Sequence, residues 1–183
     1  SQDAQFRILH FNHQLRVESD AEAQFMRSES TRFKIPISIA TPSQSFQKGS
    51  LELWARKERY AFFAAMIEEF QLDEIWTAHH QDDQVETLWM RLERGTGLKG
   101  LKGIDESRPF GAVYRSQRDC QAHKTIIRRP FLSWKKQDVL DYAHRHLLQW
   151  CEDVSNQDLR FRRNYWRQEG RMRMARIIIF APA

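Results

Sequence analysis

The amino-acid sequence predicts an α/β protein in which a parallel sheet carries helices on both faces. Short apolar runs alternate with stretches of helical periodicity, as in parallel sheets joined by helical crossovers. The 183 residues suffice for one domain with a core, and 41% hydrophobic with 29% charged residues indicates a folded chain. No apolar run approaches the roughly 20 residues of a membrane helix, and no charged-then-apolar leader opens the chain. Cys120 and Cys151 are too few for a disulfide framework and favour a reducing, cytoplasmic setting.

The predicted elements follow one another in a strand–helix order. The strands are short apolar runs bounded by polar or turn-forming residues: Phe6–Phe11, Ile35–Ala40 and Ile75–Ala78. The helices carry apolar residues at helical spacing: one from Ser19 to before Pro36, then Leu51–Phe70, then about Asp83 to Arg94, and a last one after Ser133. Residues 105–128 are less regular, which indicates an insertion or a hairpin.

Side chains at the predicted helix starts favour capping. Ser19 precedes Glu22 by three residues, the spacing of a capping box, and Ser50 and Ser133 stand where two later helices begin. In the third helix a stripe at i, i+3, i+4 and i+7 predicts a face packed against the sheet: Val85, Leu88, Trp89 and Leu92.

The positive charge of the chain is concentrated in its C-terminal tail. Residues 159–183 hold seven arginines and one acid, Glu169, for a net charge of +6. Because the whole chain carries +5, residues 1–158 sum to −1. The tail is therefore either a phosphate-binding surface or a solvated helix face.

The densest polar cluster lies between the third predicted strand and the helix that follows. It reads His79-His80-Gln81-Asp82-Asp83 and continues at Glu86. Ligands of open α/β sheets bind at the carboxyl ends of strands, which is the position of this cluster. Asp83 and Glu86 are three residues apart, so they share a helix face and could hold a magnesium ion or a substrate ammonium. Asp82 or Asp83 could instead serve only as a helix cap.

A zinc site is the alternative interpretation of this cluster. Histidine and aspartate are good zinc ligands. His79 and His80 are adjacent, however, and adjacent side chains of an extended chain point to opposite faces, so both cannot easily bind one ion. Zinc is therefore the less favoured interpretation, and a magnesium ion or a substrate ammonium at Asp83 and Glu86 stays open.

A glycine-containing run follows the third predicted helix. Gly95-Thr96-Gly97-Leu98-Lys99-Gly100 matches G-x-G-x-x-G, but the dinucleotide fingerprint must follow a strand and open a helix. We therefore reject a dinucleotide site and predict that Gly95 ends the helix in the left-handed conformation. The remaining glycines, with Arg94, Lys99 and Lys102, form a basic loop that could meet phosphates.

Charged side chains also share one side of the second predicted helix. Glu52, Arg56 and Arg59 follow one another at spacings of four and three. They form either an exposed intrahelical ion pair or a guanidinium pair that faces an anionic ligand.

The stretch from Thr77 to Leu88, continued through Leu101, resembles the central motif of tRNA(Ile)-lysidine synthetases, which are N-type ATP pyrophosphatases. Other matches follow the family's order: Leu9–Arg16, Glu52 with Ala55-Arg56 and Arg59-Tyr60, Arg129–Leu132, and Glu152-Asp153 with Ser155-Asn156 and Arg163-Asn164. This resemblance covers about residues 6–167. It implies an adenine nucleotide alpha hydrolase-like, Rossmann-like fold, with a catalytic domain over 1–150 and a polar, basic segment over 151–183 that leads to a missing or disrupted linker.

The resemblance also implies a reaction in two steps. ATP adenylates the 2-oxygen of cytidine 34 in an isoleucine tRNA with a CAU anticodon, and pyrophosphate leaves. Free L-lysine then attacks C2, the carbon that bears this oxygen, through its side-chain amine, which displaces AMP and forms lysidine. The implied partners are tRNA(Ile) and free L-lysine, and the implied cofactors are ATP and magnesium. No membrane association is expected, and a homodimer is one option for the oligomeric state.

Residue roles are carried over from the family motif by position. The implied catalytic residues are His79, Asp83, Glu86 and Arg59, with magnesium at Asp83 and Glu86. The implied ATP-binding residues are Arg56, Asp82 and His80. The implied substrate-binding residues are Arg94, Lys99, Arg129, Asn156, Arg163 and Asn164.

Two departures from the family pattern lead to further expectations. The family's ATP loop, Ser-Gly-Gly-x-Asp-Ser, precedes the strand that matches Leu9–Arg16, yet the first 48 residues contain no glycine. We therefore expect a domain that is incomplete at its N-terminus and does not bind ATP productively by itself. At the other end, residues 166–183 do not resemble the family.

Three other functions remain as alternatives, one of them a zinc hydrolase built on His79, His80 and Asp83. A tRNA thiolation enzyme of the same ATPase group would want catalytic cysteines, often as Cys-x-x-Cys, which Cys120 and Cys151 do not provide. A non-catalytic RNA-binding remnant would use the basic tail and would bind tRNA with a steep salt dependence.

Overall fold

A computed structural model of the chain describes residues 6–95, 97, 101–114 and 124–151. In chain order its elements are β1 (Ile8–Phe11), α1 (Ser19–Phe33), β2 (Ile37–Ala40), α2 (Leu51–Phe70), β3 (Glu74–Trp76), α3 (Gln81–Glu93), β4 (Ser107–Pro109), a short 3-10 helix (Phe110–Ala112), β5 (Ile126–Arg128) and α4 (Lys136–Arg145). The predicted strand–helix alternation is confirmed. Within the described residues, no helix has the length and apolar character needed to cross a membrane.

The strands belong to two sheets. β1 pairs with β2 in parallel, with Ile8 opposite Ile37. In the second sheet β5 lies between β3 and β4.

Hydrogen bonds set the strand directions in the second sheet. Two of them join β5 to β3: the N–H of Ile126 donates to the C=O of Asp73, and the N–H of Thr77 donates to the C=O of Arg128. These partner numbers rise together, so β3 and β5 are parallel. The partners of β4 and β5 instead run in opposite directions, so β4 is an antiparallel edge strand and the hairpin alternative for residues 105–128 is confirmed.

The described residues divide into two compact units. The first comprises residues 6–74, 109–114 and 124–126, and the second comprises residues 75–95, 97, 101–108 and 127–151. The predicted domain boundary after residue 150 stays a prediction, because residues beyond 151 lie outside the described part of the chain.

Aromatic and aliphatic side chains form the core of the first unit. Ile67 of α2 and Phe110 are fully buried, and the Phe110 ring lies 5.7 Å from the ring of Tyr60. The ring of Phe62 on α2 lies 5.7 Å from that of Phe11 on β1. These contacts hold α2 against the rest of the unit, since burying a large apolar side chain contributes about 1.5–3 kcal/mol.

The helix starts confirm one predicted cap and correct two. Ser50 caps α2, because its hydroxyl accepts the N–H of Leu53 at 3.3 Å. Ser19 is instead the first residue of α1, and the carboxylate of Glu22 binds Arg16 at 3.2 Å, so the predicted capping box was wrong. Ser133 does not cap α4: Lys135 precedes the helix, and its N–H donates to Asp138 at 3.0 Å.

The apolar stripe predicted for α3 is corrected in part, since Leu88 and Trp89 are half-buried but the other two residues are not. Val85 and Leu92 are 39% and 47% exposed, whereas Asp83 and Glu86 are buried. The Gln84 side chain holds this orientation, because it donates to the C=O of Ile104 at 2.8 Å and accepts its N–H at 2.6 Å. Helical periodicity predicts which residues share a face of the helix. It does not predict the hydrogen bonds of a single polar side chain, which here accompany the burial of a different face from the predicted one.

A truncation in the first unit tests this core. We expect Phe110→Ala to lower the free energy of unfolding by about 3–5 kcal/mol, since it leaves a cavity at a fully buried site. The matched control is Phe33→Ala, because Phe33 is 49% exposed and its loss should change stability by less than about 1 kcal/mol. Urea denaturation measures both, and equal losses would contradict the assignment.

Candidate active site

The polar cluster predicted from the sequence lies at the junction between β3 and α3. β3 ends at Trp76, and α3 begins at Gln81, so residues 77–80 connect a strand's carboxyl end to a helix N-terminus. The carboxylate of Asp83 accepts the backbone N–H of His80 at 3.0 Å, which closes the first turn of α3. The helix-capping alternative for Asp83 is thus confirmed, with its carboxylate acting from the third position of the helix and His80 as the N-cap residue.

Asp83 and Glu86 form the acidic pair of this site. Their exposed fractions are only 8% and 5%, and they lie one helical turn apart on the same side of α3. Burying carboxylates is costly unless they are hydrogen-bonded or face a cation, and the helix N-terminus contributes a favourable dipole. Two nearby carboxylates can therefore receive an ammonium group.

The two histidines of the cluster have different partners. The Nδ1 atom of His79 lies 2.9 Å from the hydroxyl of Thr77, which sets the orientation of its ring. The Nδ1 atom of His80 is buried, has no hydrogen-bond partner among the described residues, and lies 3.6 Å from the carboxylate of Asp83. Asp82, on the first turn of α3, is partly exposed beside them.

The donor set fits a magnesium ion better than zinc. In the described part of the chain, no group of three or more His, Cys, Asp or Glu side chains is placed to hold a metal ion. Magnesium commonly binds through one or two carboxylates together with substrate phosphates, so Asp83 and Glu86 would suffice. Magnesium at this pair stays a prediction.

The two arginines of α2 lie in the first unit. Arg56 donates to the hydroxyl of Tyr60 at 3.1 Å, and its guanidinium lies 4.5 Å from the centre of that ring. Between the described side chains of Glu52 and Arg56 no ion pair forms. Arg59 is partly buried, and its charge acts on His13, at the carboxyl end of β1.

His10 and His13 are titratable residues of the first unit that the sequence did not single out as candidates. Burial, followed by the charges of Arg59 and His10, lowers the pKa of His13 from 6.5 to about 4. Burial also lowers the pKa of His10, and the charge of Glu22 opposes that shift. His10 Nε2 and His13 Nδ1 are buried, and the described part of the chain offers neither atom a hydrogen-bond partner. The available signal was the Leu9–Arg16 motif, which places both histidines at the end of a strand.

The predicted substrate residues fall into three groups. Arg129 is buried, its guanidinium donates to the C=O of Asp105 at 2.5 Å, and its N–H donates to the C=O of Glu106, so it joins β5 to the segment before β4. Arg94 is exposed at the C-terminal end of α3, roughly 16 Å along the helix from Asp83. The others lie outside the described residues: Lys99, Asn156, Arg163 and Asn164.

Two glycines at and after the end of α3 adopt positive φ angles. Gly95 has φ +71° and follows the last turn of α3, which confirms the predicted left-handed helix end. Gly103 has φ +74°, and an added Cβ there would collide with the side chain of Gln84. The glycine therefore lets the segment approach α3 closely enough for Arg91 to donate to its C=O at 2.9 Å.

The strand–helix architecture, with a polar cluster between the carboxyl end of β3 and α3, is typical of α/β proteins that bind ligands at this edge. The PP-loop domain family matches residues 1–171, and the chain belongs to that family.

Within this family the chain is similar in sequence to proteins of one named activity. The chain is similar to the tRNA(Ile)-lysidine synthases of Pseudomonas aeruginosa, at 39% identity over 91% of the chain, and Coxiella burnetii, at 36% over 90%. It spans about a third of the length of these relatives, 34% of each.

A solved structure supports the fold. The U34-tRNA thiolase NcsA from Methanococcus maripaludis, with its 4Fe-4S cluster, superposes with a TM-score of 0.62 over 93% of this chain and 62% of its own. At 11% sequence identity this likeness shows the fold alone. The predicted adenine nucleotide alpha hydrolase-like α/β class is thereby confirmed.

The lowered pKa of His13 gives a pH-dependent prediction. Between pH 6.5 and about 4 the unfolded chain takes up a proton that folded His13 refuses, so acidification over this window should destabilise the fold. We expect His13→Gln to reduce the fall in the urea midpoint between pH 7 and pH 5. His144→Gln, at an exposed histidine on α4, is the control and should leave the fall unchanged. An unaltered pH dependence in His13→Gln would contradict the assignment.

Proposed function

We propose that the chain is the PP-loop ATPase domain of a tRNA(Ile)-lysidine synthase. The support comes from relatives of that name at 36% and 39% identity and from a candidate site rich in carboxylates. The proposed reaction adenylates the 2-oxygen of cytidine 34 in a CAU-anticodon tRNA(Ile), with release of pyrophosphate, and then joins the lysine side-chain amine to C2 as AMP leaves. It would take place in the cytoplasm; a homodimer stays a prediction.

The buried Asp83–Glu86 pair is the observation that carries the lysine part of this proposal. A lysine substrate presents a long apolar stem that ends in an ammonium group. Two carboxylates on one side of α3, shielded from water, would bind that ammonium through charge-assisted hydrogen bonds. The lysine amine must be neutral to act as a nucleophile, so a carboxylate or a neutral imidazole nearby has to accept a proton from its ammonium form. His79 is suited to this role.

The adenylation step needs positive charge where pyrophosphate departs. Arg56 and Arg59 are the proposed guanidinium groups, and Arg56 is oriented by its bond to Tyr60. Asp82 and His80 would contribute to the ATP site from the start of α3. When bound, magnesium would neutralise phosphate charge, with Asp83 and Glu86 as its ligands from this chain.

The direct test restores the family's ATP loop at the N-terminus of the chain. This protein is incubated with ATP, labelled lysine and a tRNA(Ile) with a CAU anticodon. Transfer of the label to the tRNA, together with pyrophosphate release, is the expected result. Transfer of labelled sulfur instead of lysine would replace the proposal by tRNA thiolation. Salt-sensitive tRNA binding without either transfer would favour a non-catalytic RNA-binding protein.

Substitution of the acidic pair tests its role in this reaction. We expect Asp83→Asn and Glu86→Gln each to lower lysine incorporation by roughly 10- to 100-fold, because a hydrogen bond to a charged group contributes about 1.5–3 kcal/mol. Glu93→Gln, at an exposed position near the end of the same helix, is the matched control.

Separate assays of the two steps distinguish the two cations. If the pair binds lysine, the variants should still release pyrophosphate from ATP in the presence of tRNA. If it binds magnesium, pyrophosphate release should fall as well and recover partly at higher magnesium concentration. Unchanged lysine incorporation in both variants would remove the pair from the site.

A further inference from the structure

Two exposed aromatic rings lie on the turn that precedes α4. The rings of Phe131 and Trp134 are 6.0 Å apart between centroids and nearly perpendicular, with an interplanar angle of 81°. Their exposed fractions are 38% and 42%. Single apolar side chains are common on protein surfaces, but two large rings in contact with each other form an apolar surface that a ligand can cover. We name these two residues the aromatic pair.

Backbone hydrogen bonds hold the aromatic pair in place. The N–H of Trp134 donates to the C=O of Phe131 at 2.9 Å, and the N–H of Leu132 donates to the C=O of Arg129 at 3.1 Å. The turn is thus closed on a residue that is itself buried. A side chain presented by a fixed backbone loses less entropy when it binds a ligand.

The same turn is bonded to the candidate active site within the second unit. The C=O of Trp134 accepts the N–H of Gln81 at 2.8 Å, and Gln81 is the first residue of α3. Gln81 follows His80 directly and precedes Asp83 by two residues. The aromatic pair therefore lies beside the helix start that carries the acidic cluster.

The charge around the aromatic pair identifies the kind of ligand. Lys135 and Lys136 follow Trp134 directly, and both are exposed. Along the chain, residues 124–151 contain six Lys or Arg, of which Arg129 is buried, and two acids, Asp138 and Asp141. The acids of the neighbouring helix start are Asp83 and Glu86, which are largely buried, and Asp82, which is partly exposed. Asp138 is engaged by the backbone N–H of Lys135. Exposed aromatic rings among lysines are suited to a single-stranded nucleic acid, whose bases stack on the rings while its phosphates meet the cations.

We propose that Phe131 and Trp134 form a stacking platform for an unpaired base of the RNA substrate. This inference rests on the proposed function, and it adds a position to it: the stacked base neighbours the nucleotide that reacts at the start of α3. Stacking there would hold the loop of the RNA open while Lys135 and Lys136 contact its backbone. Base identity is not read by the rings, because every base offers a π-face.

RNA binding by the full chain tests the platform. The probe is a short labelled RNA hairpin with CAU in its loop, titrated by fluorescence anisotropy. We expect Phe131→Ala and Trp134→Ala each to weaken binding by roughly 5- to 100-fold, the usual range for removal of one stacking ring. Trp134→Phe should bind within about threefold of the unsubstituted chain, whereas Trp134→Leu should bind as weakly as Trp134→Ala.

A second aromatic residue supplies the matched control. Trp150 is 40% exposed, close to the exposure of Trp134, but its ring packs on His144. Trp150→Ala should leave hairpin binding unchanged. Circular dichroism and urea denaturation should show that all variants stay folded, since each removed ring is partly exposed. In addition, Lys135→Gln with Lys136→Gln should reduce the slope of log affinity against log salt by about one to two.

Several results would overturn the platform. These are unchanged hairpin binding in Trp134→Ala, an equal loss in Trp150→Ala, full binding by Trp134→Leu, and no hairpin binding by the unsubstituted chain. Lysine incorporation by the ATP-loop-restored protein separates the two proposals. If Trp134→Ala binds the hairpin normally while lysidine still forms, the platform is wrong and the proposed function stands. If Trp134→Ala loses binding but no lysidine forms, the platform stands for a different RNA reaction.

Discussion

The burial of two carboxylates in the first turns of α3 is the constraint around which the second unit is arranged. Asp83 and Glu86 can be this inaccessible only because the helix N-terminus and local hydrogen bonds offset part of their desolvation. Facing them inward turns Val85 and Leu92 outward. The helix thus directs two acidic side chains inward at some loss of apolar burial.

Three contacts from distant parts of the sequence maintain that orientation. Gln84 is held by the backbone of Ile104, Arg91 donates to the C=O of Gly103, and Gln81 donates to the C=O of Trp134. Together they tie the start, middle and end of α3 to other segments of its unit. The helix is thereby fixed against rotation, so the geometry of the acidic pair is set before a ligand arrives.

In the first unit the main electrostatic feature is a partly buried histidine that lies near an arginine. A strand ends at His10 and Phe11, and partly buried Arg59 acts on the next histidine, His13. Burial and positive charge together lower the pKa of His13 to about 4, so at physiological pH its ring is neutral and has one accepting and one donating nitrogen. In the proposed reaction this would leave Arg59 as the permanent cation at that strand end.

Much of the fold could be predicted from the sequence, because apolar runs and helical spacing are local properties. The order of strands and helices, the Ser50 cap and the helix end at Gly95 all follow from residues within a few positions of each other. The motif from Thr77 to Leu88 located the candidate site for the same reason. The tertiary structure alone decided which side of α3 is buried, that Arg129 binds the backbone of Asp105, and that His13 stays neutral. Each of these depends on a partner more than ten residues away in the chain, and only folding brings such partners into contact.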